Sequence, residues 1–82
     1  MAVIQRTPYQ EFVEFVVSRP TLEQITEFRL SDKSEARISL LLEYNRTRKL
    51  TEDEEAELED FSRLEHIVRM MKIRAWETLV PA

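Results

Sequence analysis

The chain contains no glycine among its 82 residues. Glycine supplies the positive φ angles of tight turns and lets the backbone approach phosphate groups closely. Phosphate-binding loops, dinucleotide-binding fingerprints and nucleophile elbows all need glycine at fixed positions. Two-residue β-hairpins also lose their preferred turn residue without it. The sequence therefore argues against a β-rich fold and against most nucleotide-binding enzymes.

The length of the chain suits a single domain, which we place at residues 1–82. A domain of this size buries only about 60% of the surface of its unfolded chain, so its stability often depends on disulfides, a metal or a partner. The sequence has no cysteine and one histidine, His66, which excludes disulfides and thiolate or histidine-rich metal sites. We therefore expect no metal and no cofactor, and a partner chain as the additional source of stability.

The composition is 43% apolar and 34% charged. This balance is too apolar for a disordered tail and too charged for a membrane protein. No apolar stretch approaches the roughly 20 residues that span a bilayer. Residues 1–6 also lack the long apolar core of a signal peptide. We expect a cytoplasmic protein that does not contact the membrane.

Four segments begin with residues that are typical of helix N-caps, namely Thr7, Thr21, Ser31 and Thr51. The three threonines are each followed three positions later by Gln or Glu, which predicts capping boxes. After Thr7, five apolar residues share one helical face: Tyr9, Phe12, Val13, Val16 and Val17. Residues 12–17 are also rich in β-formers, so a strand is the alternative for this segment. The helix start, and the lack of a partner strand, favour a helix.

The sequence predicts an all-α fold, a small bundle of three shorter helices and one long C-terminal helix. The second helix is expected to end near Arg29, and the third to run to about Arg48 with Ile38, Leu41, Leu42 and Tyr44 on its buried side. The fourth is expected to span about 27 residues, or about 40 Å. Four of its residues follow one seam, Leu64, Val68, Met71 and Ala75, while Ile67, Met70, Ile73 and Trp76 spread beyond it. Its apolar set is Leu58, Phe61, Leu64, Ile67, Val68, Met71, Ala75 and Leu79.

A helix of this length exceeds what three short helices can cover, and its apolar surface is wider than one packed face needs. Met and Trp are also enriched at protein contact surfaces. We therefore expect a homodimer formed through this helix, with an intramolecular core as the alternative. An antiparallel pairing would bring the acidic residues 52–60 near the basic residues 69–74 of the other chain. The predicted partner-binding residues are Leu64, Val68, Met71, Ile73, Trp76 and Leu79.

The acidic residues 52–60 and His66 are better explained by structural roles than by metal binding or catalysis. The acidic residues 52–60 lie on a predicted helix and lack the central glycine of a calcium loop, so we interpret them as a solvated helix start. His66 has no orienting carboxylate and nucleophile in a recognisable arrangement, so we interpret it as a structural or surface histidine. We expect no catalytic residues, and therefore a protein that is not an enzyme.

A basic cluster of Arg46, Arg48 and Lys49 lies at the expected end of the third helix. Cations at a helix C-terminus favourably oppose the helix dipole, which explains the cluster without a ligand. The alternative is a regulator that binds nucleic acid through these residues. Because the chain carries a net charge of −4, we do not expect the isolated chain to bind nucleic acid.

Several blocks within residues 28–75 form a recognisable pattern: residues 28–29, 41–46, 50–58 and 64–68, followed by Lys72 and Ala75. The most distinctive block begins Leu64-Glu65-His66. This pattern resembles a family of short cyanobacterial proteins that look like antitoxins of two-gene toxin–antitoxin systems. The resemblance implies a non-catalytic protein partner of a nuclease-type toxin, and it implies no catalytic residues. Residues 1–20 lie outside it.

Overall fold

A computed structural model describes residues 7–81 of the chain. Within them the chain forms four α-helices and no strand: α1 Pro8–Val17, α2 Leu22–Thr26, α3 Asp32–Thr47 and α4 Glu52–Leu79. This confirms the predicted all-α fold with one long C-terminal helix. The expectations for residues 1–6, and the outer limits of the predicted 1–82 domain, fall outside the described residues.

The three predicted capping boxes are present. The hydroxyls of Thr7, Thr21 and Thr51 each accept a hydrogen bond from the backbone N–H three residues later, at 3.1–3.2 Å. The side chains of Gln10, Gln24 and Glu54 accept one in return from the threonine N–H groups, at 2.8–2.9 Å. Each box satisfies two N–H groups that a helix start would leave unpaired. For residues 12–17, the helix is thereby confirmed over the strand.

The end of α1 requires an unusual backbone conformation. Ser18 caps the helix, and Arg19 follows with a φ of 57°. Positive φ normally falls to glycine, and this chain has none. Pro20 then prevents the helix from continuing. The turn between α1 and α2 is therefore built with an arginine in a conformation that costs free energy.

The helix α4 is the central element of the fold, since α1, α2 and α3 all pack against it. It has 28 residues and is about 42 Å long. The short α2 ends at Thr26, three residues before the predicted end near Arg29. Phe28, which follows α2, is only 8% exposed and contacts the rings of Phe12 and Phe15. The chain leaves helical geometry there and buries this ring.

The core is small. Its fully buried side chains are Leu41 and Leu64, and the remaining buried apolar residues are Phe28, Ile38, Leu50 and Ala75. Leu42, which was predicted to lie on the buried side of α3, is exposed instead, which corrects the prediction. Four further apolar residues that share helix faces in the sequence are also exposed: Val13, Val16, Val17 and Ile67. Leu42 illustrates the cause. It lies about 100° round α3 from Leu41, and the neighbouring helices cover Leu41 but not Leu42.

Polar contacts between side chains join neighbouring helices. The Glu11 carboxylate of α1 accepts hydrogen bonds from the Ser31 N–H at 2.7 Å, from the Ser31 hydroxyl at 3.0 Å and from the Ser34 hydroxyl. Arg37 of α3 donates two hydrogen bonds to Glu57 of α4, at 2.8 and 3.1 Å. This carboxylate raises the pKa of Arg37. These contacts fix α1 against the start of α3, and α3 against α4.

The molecule is flat, with extents of 48 × 35 × 18 Å. Its radius of gyration is 15.1 Å, whereas a compact chain of this length has about 12 Å. A thickness of 18 Å corresponds to about two layers of helix at the usual separation of 8–10 Å between axes. Among the helices of residues 7–81, none therefore lies against one side of α4. Among the described helices, none has a stretch that is both long and apolar enough to cross a membrane.

Candidate protein-binding surface

Three large apolar side chains are exposed on one side of the C-terminal half of α4, and we call them the outer face. Trp76 is 62% exposed, and the others are 51–53% exposed. Soluble monomers expose single apolar residues everywhere, but contiguous groups of them mark interaction sites. The three residues of the outer face are Met70, Ile73 and Trp76. Ile67 is also exposed, but it lies about 180° round α4 from Trp76. Val80 is exposed too, but it follows the end of the helix as its C-cap.

Helix geometry separates this surface from the core. At about 100° per residue, Ile73 lies almost opposite the buried Leu64 and Ala75. Met70 and Trp76 flank Ile73 at spacings of three. The apolar residues of α4 therefore surround most of its C-terminal half. One side is packed on the domain, and the other has no covering within residues 7–81.

The six predicted partner-binding residues divide between these two sides. Ile73 and Trp76 lie on the outer face. Leu64 is only 1% exposed and is part of the core. Val68, Met71 and Leu79 are half-buried on the core side. The surface thus contains two of the six predicted residues. It also contains Met70, which the sequence places on the wide apolar surface of this helix but which is not one of the six. The apolar pattern by itself did not show which side the other helices would cover.

Charged side chains of opposite sign lie before and after Ile73 along this half of α4. Arg69 pairs with Glu65 at 2.8 Å, and Arg63 pairs with Glu59 at 2.7 Å. Glu77 makes only a long contact to Arg74, at 3.9 Å. Relative to Ile73, Arg69 is four residues earlier and Glu77 is four residues later. A positive and a negative group therefore stand at equal distances on either side of the centre of the outer face.

His66 is exposed on α4. The carboxylate next to it in sequence, Glu65, is already hydrogen-bonded to Arg69. Their side chains leave the helix about 100° apart, so Glu65 is not placed to orient the imidazole. Within residues 7–81, no group of three or more metal-binding side chains converges.

The predicted basic cluster is largely engaged within the chain. Arg46 pairs with Glu43. Arg48 lies over the Tyr44 ring, 4.1 Å from its centroid, and donates two hydrogen bonds of 2.9 Å to Glu54. The Arg48 guanidinium, together with the Thr51 N–H, lowers the pKa of Glu54 to about 2. These contacts tie the end of α3 to the start of α4, and they leave Lys49 exposed.

A cavity of about 550 Å³ lies between α1, α3 and α4. Its wall combines apolar residues such as Tyr9, Ile38 and Phe61 with charged ones. Two of those charged groups, Arg37 and Glu57, are hydrogen-bonded to each other. The Ser34 hydroxyl is bonded to Glu11. The cavity is also lined by Lys33 and Asp60. Because Arg37, Glu57 and Ser34 hold the helices together there, the outer face is the stronger candidate site.

Comparison of the chain with protein-family models, with curated proteins and with solved structures gave no match. The similarity to antitoxin-like proteins therefore stays a prediction from the sequence.

Proposed function

We propose that this protein is a non-catalytic interaction module that binds another protein through the outer face of α4. The observation that carries the proposal is the exposure of Trp76, Ile73 and Met70 together on one side of a helix. An exposed amphipathic helix binds by burying such a face against a partner surface. Trp and Met suit this role, since Trp buries a large area and Met adapts to irregular surfaces.

Burial of the outer face would stabilise a complex. Apolar surface left in water forgoes roughly 25 cal/mol per Å² of stabilisation relative to burial. Trp at the centre of an interface is typical of residues that dominate binding. We therefore propose Trp76, Met70 and Ile73 as the main binding residues.

The narrower form of this proposal is an antitoxin-like role, in which a nuclease-type toxin is a partner. It is motivated by the sequence pattern of residues 28–75. The alternative function, nucleic-acid binding through the basic cluster, receives less support from the geometry. Arg46 and Arg48 are paired with Glu43 and Glu54, so phosphate groups would compete with carboxylates for them.

The experiment uses the product of the gene adjacent to the one that encodes this chain. The two proteins are co-expressed so that their complex can be isolated. In a second step this chain is titrated with the purified product of the adjacent gene. Trp76 is the only tryptophan of the chain, so its emission reports directly on the proposed surface. We expect its emission maximum to shift to shorter wavelength on binding, because the indole leaves water.

Trp76→Asp and Met70→Asp should each weaken binding by at least about tenfold, as expected for central interface residues. The matched control is Leu42→Asp, since Leu42 is 48% exposed on α3 and lies off the outer face. Binding that survives both α4 substitutions would contradict the proposed surface. The antitoxin-like role would be contradicted if this chain protected cells from a toxin encoded by the adjacent gene although the two proteins formed no complex.

A further inference from the structure

We propose that the outer face binds the same face of a second copy of this chain, antiparallel, with the two-fold axis at Ile73. The proposal rests on the proposed function, and it names the partner and the orientation. A two-fold interface uses the same patch on both subunits, so the patch must complement itself. The outer face meets this requirement in both its apolar residues and its charges.

The apolar residues match when the two helices cross at Ile73. Ile73 of one chain then lies against Ile73 of the other. Met70 and Trp76 are three residues on either side of it, so the Met70 of each chain comes level with the Trp76 of its partner. Each helix rises 1.5 Å per residue, so these layers lie within about 5 Å of the axis. The most exposed apolar side chains of α4 are thus covered together.

The charges select the antiparallel orientation. Arg69 and Glu77 are each four residues from Ile73, on opposite sides along the helix. Antiparallel pairing sets the Arg69 of each chain level with the Glu77 of the other. Parallel pairing would set arginine level with arginine and glutamate level with glutamate, which is unfavourable. Both side chains are largely exposed in the single chain, at 66% and 58%, so both remain accessible to a partner.

A register that sets the acidic residues 52–60 against residues 69–74 is less favourable. It would bring Ile73 level with the first turns of the partner's α4, which carry Glu54 and Glu55. The apolar residues would then meet carboxylates. Exposed ion pairs contribute only about 0–1 kcal/mol each, so the apolar register dominates.

The chain exposes more surface than a compact domain of its mass. Its accessible surface is 6732 Å², whereas a compact monomer of 9.8 kDa has roughly 5,200 Å². A standard interface buries roughly 800 Å² of each partner. A second copy on the outer face would also add the missing helix layer to a molecule only 18 Å thick.

The first test is the mass of the full chain by sedimentation equilibrium at tens of micromolar protein. We expect twice the chain mass of 9.8 kDa. Ile73→Asp should give the monomer mass while keeping its helical circular dichroism, because Ile73 is exposed within the chain. Leu42→Asp should remain a dimer. A wild-type mass of 9.8 kDa would overturn the inference, and the proposed function would still stand if such a monomer bound a separate protein through Trp76.

The second test examines orientation by charge reversal. Arg69→Glu should weaken dimerisation about tenfold, because two attractive pairs become repulsive. Adding Glu77→Arg should restore it to within about threefold of wild type. Within one chain Arg69 and Glu77 are eight residues, or about 12 Å, apart along the helix, so they do not pair with each other. Arg69→Glu breaks the contact with Glu65, and Glu77→Arg breaks the contact with Arg74. Rescue therefore requires a second chain, and a double variant no tighter than Arg69→Glu would overturn the antiparallel arrangement.

Discussion

Arg19 shows what the absence of glycine costs at a single residue. Its φ of 57° ends α1, in a region that L-residues with a Cβ enter at a cost of roughly 1–2 kcal/mol. Asn and Asp reach this region more easily, and glycine more easily still. The chain uses an arginine there, followed by Pro20, and therefore stores strain at the turn between α1 and α2.

We expect Arg19→Gly to stabilise the protein by about 0.5–1 kcal/mol. The relief of backbone strain exceeds the extra entropy that glycine has in the unfolded chain. Urea unfolding followed by circular dichroism measures the change. Arg19→Ala is the control, since alanine keeps the Cβ and should give no gain. A glycine variant no more stable than the alanine variant would show that the turn is not strained.

Glu54 makes the stability of the folded chain depend on pH in the acidic range. Its pKa is about 2 in the folded chain because of Arg48 and the Thr51 N–H, and it is about 4.3 in an unfolded chain. A pKa lowered by folding contributes stability above the unfolded value, and this contribution is lost as the pH falls from about 4.5 towards 2. Glu54→Gln keeps the capping box but removes this titration.

We therefore expect the Glu54→Gln variant to lose less stability than wild type between pH 5 and pH 2.5. Denaturant midpoints measured across this range test the prediction. Glu52→Gln, in the same first turn but exposed, should follow the wild-type curve. Parallel curves for wild type and Glu54→Gln would show that the Arg48–Glu54 contact does not form in solution.

Among the helices, α3 gives the sharpest contrast between neighbouring residues. Leu41 is fully buried, while Leu42 is 48% exposed. Both belong to the same apolar run and have the same side chain. Their difference arises only from the position of α3 against α4, where the Arg37–Glu57 ion pair helps to set the rotation of the helix.

We expect Leu41→Ala to destabilise the protein by about 2–4 kcal/mol, since it removes buried methyl groups and leaves a cavity. Leu42→Ala should change stability by less than about 0.5 kcal/mol, as exposed substitutions usually do. Thermal and urea unfolding of both variants provide the comparison. Equal losses would mean that α3 is rotated relative to its position in the structure.

At the scale of the whole molecule, the fold provides little core for its length. Six apolar residues are buried within residues 7–81, and α4 is covered on one side only. Small domains of this kind are marginally stable by themselves. Binding to the folded state adds stability by mass action. The proposed dimer therefore predicts that stability depends on protein concentration.

We expect the melting temperature to rise as the protein concentration is increased from about 1 to 100 μM. The emission of Trp76 should shift to longer wavelength on dilution, as the outer face enters water. Scanning fluorimetry with intrinsic detection measures both quantities in one experiment. Ile73→Asp should abolish the dependence on concentration. A wild-type melting temperature that is constant over this range would contradict self-association.

Local chemistry in the sequence determined where the helices begin. Thr7, Thr21, Ser31 and Thr51 were recognisable as caps because their hydroxyls satisfy N–H groups only a few residues away. The absence of glycine and the apolar spacing determined the fold class in the same local way. These features involve contacts within one helical turn, so they are readable without knowing the tertiary structure.

Only the tertiary structure decided which apolar residues are buried. Leu42, Ile67 and the valines of α1 carry the same helical pattern as Leu41 and Leu64, but no neighbouring helix covers them. The rotation of each helix depends on contacts between distant residues, such as Arg37 with Glu57 and Phe28 with Phe15. The outer face followed from this packing. The long apolar surface of α4 was visible in the sequence, but its division into a core side and a free side depends on where three other helices lie.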